Sequence, residues 1–108
     1  MIDSPDIRAI RLEGELDLDT GRDLGALLSQ AVGDTTHRPI VDLSAVTFLD
    51  STALAALVKA AEQMRRQGRV LAIVVQPGAV SDLLDLSVVR DRFEVLSELP
   101  PAGPGDVR

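Results

Sequence analysis

The chain predicts a single α/β domain, a mostly parallel (mixed) sheet packed with helices in β-α-β-α-β-α-β order. Three observations carry this. Residues 70–75 read Val-Leu-Ala-Ile-Val-Val, six apolar side chains without alternation. That is the pattern of an interior strand covered on both faces. Residues 39–43 have the same continuous apolar centre. Stretches with helical spacing lie between and around these runs, and such alternation packs helices on a mainly parallel sheet.

Taken in order, residues 7–12 place apolar Ile7, Ala9, Ile10 and Leu12 in a short strand, which Gly14 ends. Glu15, Leu16, Asp17, Leu18 and Asp19 read as an acidic loop. Thr20 is placed to cap the first helix, with Asp23 three positions on. Leu24, Leu27, Leu28, Ala31 and Val32 then repeat as one buried helical face, and Gly33 closes it. A polar loop over 34–38 leads to the strand at 39–43. Residues 44–50 read as a connection whose Val46, Phe48 and Leu49 pack inward.

Asp50 or Ser51 caps the second helix. Its buried stripe is Leu54, Leu57, Val58, Ala61 and Met64. Lys59, Glu62, Gln63 and Arg66 face water, with Glu62 and Arg66 spaced for an i,i+4 ion pair. Gly68 ends this helix. Pro77-Gly78 marks a turn after the 70–75 strand. Val80, Leu83 and Leu84 carry a short third helix, and Phe93, Val95 and Leu96 a last strand. An additional strand near residue 2 is compatible with this order. The domain therefore spans 1–99. From Pro100 the tail lacks a buried pattern, and 100–108 is expected to be disordered.

Composition narrows the function. The chain has 108 residues and a formal charge of −6, so it repels phosphate backbones. Phe48 and Phe93 are its only aromatics, too few to stack bases. It has no cysteine, hence no disulfide framework and no thiol nucleophile. The N-terminus is polar and acidic, unlike a signal peptide, and no apolar run spans a bilayer. A cytoplasmic protein without nucleic-acid binding or membrane insertion is expected.

Catalytic readings fare poorly. There is no Gly-x-x-x-x-Gly-Lys loop for a nucleotide and no Gly-x-Ser-x-Gly elbow. The one histidine, His37, precedes the strand whose far end leads to Ser51. The strand's length of roughly 15 Å puts the two at opposite sheet edges. His37 then reads as a solvated loop residue. Asp17, Asp19, Asp42 and Asp50 suggest a cation site. The plainer reading has Asp17 and Asp19 solvating a loop while Asp42 and Asp50 hold backbone N–H groups at turns. No cofactor and no enzymatic activity are expected.

Ser51 is the residue of interest. A helix start offers unpaired backbone N–H groups and a positive dipole end, a place where a phosphate is stabilised. Leu12-Glu13-Gly14-Glu15-Leu16-Asp17 precedes one helix. Val41-Asp42-Leu43-Ser44-Ala45-Val46-Thr47-Phe48-Leu49-Asp50-Ser51-Thr52-Ala53-Leu54 leads into the next. Together they resemble the STAS domain of bacterial anti-sigma factor antagonists, over residues 7 to 97. The resemblance is strongest to the small stand-alone antagonists of sporulation and general-stress sigma regulation.

The resemblance implies a switch. Ser51 is the residue phosphorylated by a partner, an anti-sigma factor with an ATP-binding serine kinase fold. The unphosphorylated antagonist binds that partner and frees the sigma factor, and a serine phosphatase restores it. Asp50 maps to the acid before the acceptor, Asp17 to the family's acidic loop residue beside it, and Thr52 to the next position. The partner surface is expected to comprise Asp50, Ser51, Thr52, Ala55, Ala56 and Lys59. One departure is Ala53, where the family usually has Gly. In a helix's first turn Ala is favoured, although its methyl is expected near the acceptor, where it bears on kinase recognition. STAS-like domains also serve as cytoplasmic subunits of membrane transporters, including lipid-transport ATPases, which is the alternative reading. Both a monomer and a weak dimer fit the sequence.

Overall fold

Among the described residues, four strands form one sheet in the order β1-β2-β3-β4: β1 (Asp6–Leu16), β2 (His37–Leu49), β3 (Ala72–Val74) and β4 (Glu94–Leu96). This computed structural model describes residues 6–87 and 89–100. Every described strand pair is parallel. The crossovers carry α1 (Leu18–Gly33), α2 (Ser51–Arg66) and α3 (Ala79–Leu86), with a 3-10 turn at Arg90–Arg92 before β4. The β-α-β-α-β-α-β order is therefore as the sequence predicts.

Neighbouring residues on a strand point to opposite faces, and the two faces bury two clusters. The larger joins Ile10, Val41 and Ile73 of the sheet to Leu28 of α1, Leu57 and Met64 of α2 and Leu84 of α3. The smaller, on the other face, is Ile40, Ala72 and Val74, packed by Ile7, Leu96 and Leu99. Residues 71–75 are all buried, as an interior strand requires, while Val70 is 60% exposed. Leu54 and Val58 of the expected α2 stripe are only partly buried. Ala53 and Ala60 are buried instead, because the face that meets α1 and the sheet admits small side chains.

Several boundaries differ from the sequence reading: β2 begins at His37 instead of 39 and β3 covers Ala72–Val74 instead of 70–75, and further differences lie toward Ser51. β1 runs through Gly14 to Leu16 instead of stopping at Gly14. The acidic loop shrinks to Asp17, since α1 starts at Leu18, and Thr20 lies within the helix instead of capping it. β2 continues to Leu49, so the expected connection over 44–49 is strand. The cause is a pair of bulges. Arg11 and Glu13 face Asp42 and Ala45, and Gly14 and Glu15 face Val46 and Phe48, so β2 carries one extra residue twice. Each extra residue shifts the pleat. Leu43, Val46 and Leu49 are buried at a spacing of three, with the residues between them exposed. Phe48 consequently points outward, 50% exposed, instead of inward. Gly14, at φ +76°, takes the left-handed conformation beside the second bulge.

The pole of the sheet opposite Ser51 is tied by polar contacts. α2 ends in a Schellman turn, with Gly68 at φ +73° donating to the Arg65 carbonyl and Arg69 donating its N–H to Met64. That turn aims the Arg69 guanidinium at the carbonyls of Val32 (3.2 Å), Asp34 (3.3 Å) and His37 (3.1 Å). One cation thereby joins the end of α1, the following turn and the start of β2. In that turn Asp34 accepts bonds from the Thr36 hydroxyl (2.6 Å) and N–H (3.0 Å) and lies 2.7 Å from His37 Nδ1. His37 is thus the first residue of β2 and half-buried against Asp34, not a free loop residue. Glu62 pairs with Arg92 instead of the expected Arg66. The expected disordered tail lies outside the described residues from 101 on, as does the possible strand near residue 2.

The Thr36 hydroxyl, then its backbone N–H and His37, hold the Asp34 carboxyl below the ordinary 3.8, at about 2. A depressed folded-state pKa contributes stability that is complete above about 4 and disappears as pH falls through about 2. A carboxyl-detected NMR titration should place the Asp34 midpoint near 2. In Thr36→Val, which keeps the N–H but loses the hydroxyl, the midpoint should move back toward 3.8. Arg69→Ala removes charge-assisted bonds to three carbonyls and should cost about 2 kcal/mol in urea unfolding.

Candidate functional site

The site begins where β1 and β2 end together. Leu16 and Leu49 are paired, and the next backbone N–H on β2, that of Asp50, donates to the Leu16 carbonyl at 3.0 Å. Asp50 is the N-cap of α2, in extended backbone at φ −85°, ψ 177°. Its Oδ1 accepts the Ala53 N–H at 2.9 Å, and its own carbonyl accepts the Leu54 N–H at 2.9 Å. One residue therefore closes the ribbon and starts the helix.

This settles which of the two candidates caps α2. Asp50 performs the capping, so the Ser51 hydroxyl is not needed for it. Ser51 is the first residue of the helix and is exposed. The N–H groups of the first helical turn lack carbonyl partners within the helix, and the cap carboxylate takes that of Ala53. Those of Ser51 and Thr52 sit at the positive end of a 16-residue helix. The first turn carries no acidic residue. Asp50 directly precedes Ser51, and exposed Asp17 is one residue beyond the Leu16 carbonyl that Asp50 binds. Asp50 and Ser51 thus follow the end of β2, and Asp17 follows the end of β1 beside it.

Ala53 is 0% exposed and part of the main core. Its methyl points inward, not into the space beside Ser51 as the sequence suggested. The helical turn rotates position 53 away from position 51 and into the sheet-facing side. Thr52 is half-buried, while Ala55 and Lys59 are exposed and Ala56 is half-buried. These four line one wall of a groove of about 370 Å³ between α1 and α2, whose other wall includes Gly25 and Ser29. The α1 wall is the part that sequence reasoning missed. A glycine and an alanine at 25 and 26, interrupting the leucine pattern of α1, were the available signal. Lys59, the one lysine in the chain, forms no ion pair among the described residues.

The remaining candidates lie elsewhere. His37 starts β2 and Ser51 follows its end, so the strand separates them. Asp42 Oδ1 accepts the Ser44 N–H at 3.0 Å and its hydroxyl at 2.6 Å, which stabilises the first bulge. Asp42 and Asp50 are eight residues apart along a strand rising about 3.3 Å per residue, too far to share a cation. Both carboxylates serve the backbone.

A family model described as the STAS domain matches residues 1–100. Among solved structures, the chain is similar to the anti-sigma factor antagonist SpoIIAA in its unphosphorylated form. The TM-score is 0.68 at 16% identity, covering 92% of this chain and 86% of that one. It is equally similar in TM-score, 0.68, to a sulfate transporter family protein from Wolinella succinogenes. That match has 18% identity and covers 86% of this chain and 78% of that one. At such identities the likeness concerns the fold.

The capping assignment is testable by itself. Asp50→Ala should destabilise the domain by about 1 kcal/mol in urea unfolding, the usual cost of a lost N-cap. Ser51→Ala should change stability by less than about 0.5 kcal/mol, as expected of an exposed residue outside the cap. A larger loss for Ser51 than for Asp50 would reverse the assignment.

Proposed function

The chain belongs to the STAS domain family, and from that premise we propose that it is an anti-sigma factor antagonist switched by phosphorylation of Ser51. The observation that carries this reading is the division of labour at the start of α2. Asp50 caps the helix, and the adjacent hydroxyl is left exposed at the helix's positive end. A serine used only for capping would be engaged with its own backbone.

In this reading the protein is a substrate and a binding partner, not an enzyme, and acts in the cytoplasm. Consistent with that, no helix among the described residues is long and apolar enough to cross a membrane. The partner is an anti-sigma factor with a serine kinase fold. It approaches over Ser51, Thr52 and the exposed side of α2 at Ala55, Ala56 and Lys59, where small side chains allow close contact. Phosphorylation adds roughly −1.5 to −2 charges at Ser51. The free N–H groups of the first turn tolerate that charge, so the domain keeps its fold. Asp50 and Asp17 do not neutralise it. Inside a packed interface an uncompensated charge costs several kcal/mol, and about 3 kcal/mol is over a hundredfold in affinity. A serine phosphatase resets the switch.

The likeness to a sulfate transporter family protein keeps a second reading in view, a STAS subunit of a membrane transporter, where no phosphorylation is needed. The experiment that separates the two is incubation with the cognate kinase and ATP, read by intact mass. One added phosphate on the wild type and none on Ser51→Ala is expected. No phosphate on the wild type, with a transporter recovered as the binding partner, would favour the second reading. Calorimetry against the anti-sigma partner should give wild-type affinity for Ser51→Ala. For Ser51→Asp it should give affinity weaker by about tenfold or more, and equal affinities would remove charge as the switch.

A further inference from the structure

We propose that two copies of this chain associate through the outer edges of β1, joined antiparallel about a two-fold axis at Leu12. The proposal concerns self-association and is independent of the Ser51 reading. Among the described residues β1 pairs only with β2, leaving one side of an 11-residue strand unpaired. A strand of that length without proline presents a row of backbone donors and acceptors that templates another strand.

The charge pattern of β1 selects the second copy as the occupant. Arg11, Glu13 and Glu15 are exposed and lie on the face of Ile7, opposite the face that carries Ile10 and the helices. The cationic position comes first and the anionic positions follow. Parallel in-register pairing with another β1 would stack like charges. Antiparallel pairing sets Arg11 against glutamate. Neither Arg11 nor Glu13 makes an ion pair among the described residues, whereas Arg8 is already paired with Asp34 at 3.6 Å.

The register follows from the same residues. With a two-fold axis perpendicular to the sheet, residues directly opposite share a face, so odd positions oppose odd positions. An axis at Leu12 places each Arg11 opposite Glu13 of the other copy, twice, with Leu12 facing Leu12 on the helix side. An axis at Arg11 opposes Arg11 with itself, and one at Glu13 also sets Arg11 against Glu15 but brings the two Glu13 carboxylates face to face at the axis, a like-charge contact that the Leu12 register lacks. An axis at Gly14 sets Glu13 against Glu15, and one at Ile10 forms no ion pair. The Leu12 register also extends a row already present, because Arg11 lies beside Asp42 of its own β2. The product is a continuous eight-stranded sheet with all helices on one side and the two Ser51 sites at opposite ends.

Sedimentation equilibrium of the 108-residue chain from about 5 to about 500 μM covers the range in which a small edge interface dissociates. A monomer–dimer equilibrium is expected. Arg11→Glu and Glu13→Arg should each weaken it by about tenfold, through two lost attractions and two new repulsions. The double variant Arg11→Glu/Glu13→Arg should return to within about threefold of wild type. Circular dichroism on each variant checks that the monomer is folded, and recovery in the double variant separates charge pairing from any general damage to β1. A monomer at all concentrations, a dimer indifferent to either reversal, or a double variant no better than the singles would each overturn the proposal.

Discussion

Everything distinctive about this domain passes through the backbone of Asp50. Its N–H holds the end of β1, its carboxylate holds the Ala53 N–H, and its carbonyl takes the first helical bond of α2. These three bonds fix where the strand stops and where the helix points. They also decide what Ser51 is. A cap carboxylate satisfies an N–H that the serine hydroxyl would otherwise claim, so the hydroxyl is exposed without leaving an unsatisfied group behind. Among the described residues no buried side-chain polar atom lacks a partner. The start of α2 is therefore held by the bonds of Asp50, while the N–H groups of Ser51 and Thr52 have no carbonyl partner within the helix.

Reaching Asp50 required β2 to extend well past the sheet interior. On β2, β3 pairs with Ile40, Val41 and Asp42, so from Leu43 onward β2 is partnered by β1 alone among the described residues. A two-stranded ribbon twists more strongly than a broad sheet, and the two bulges add to that twist. They also keep Leu43, Val46 and Leu49 facing the core although the strand is not regular. Asp42, placed at the first bulge, bonds the Ser44 N–H that the bulge frees from the ladder. The aspartates before and after the ribbon thus do the same work at its two irregular points.

This explains what was legible in the sequence. Most of the buried stripe of α1, the interior run except Val70 and the β-α alternation obey simple periods and read directly, whereas the stripe of α2 is turned toward Ala53 and Ala60. The motif resemblance, not any period, singled out Asp17, Asp50 and Ser51. The 44–49 segment was read as a connection because its inward positions recur every third residue, a spacing that belongs to neither strand nor helix. Phe48 was misplaced for the same reason: hydrophobicity argued inward, but the second bulge turns it out. Gly14 looked like a terminator because glycine punctuates chains. Here its positive φ serves a strand that continues. The buried methyl of Ala53 needed the helix phase, which depends on knowing that the cap is Asp50 and not Ser51.

The two poles of the sheet differ in how their polar groups are used, and that difference is the strongest physical argument for where function resides. At the pole where β2 begins, Arg69, Asp34, Thr36 and His37 bond to one another and to three carbonyls. Charge there is consumed by structure, and losing the Arg69 guanidinium would break the bonds that hold α1 to β2. At the pole where β2 ends, Asp50 alone joins strand end to helix start, and among the described residues the exposed hydroxyl of Ser51 and amine of Lys59 bond no other group. The proposed phosphorylation switch requires a site where a gained charge leaves the fold intact and falls on a contact surface. The first pole fails the first condition. The second meets it, because its helix supplies donors for the new charge while its stability rests on the neighbouring residue.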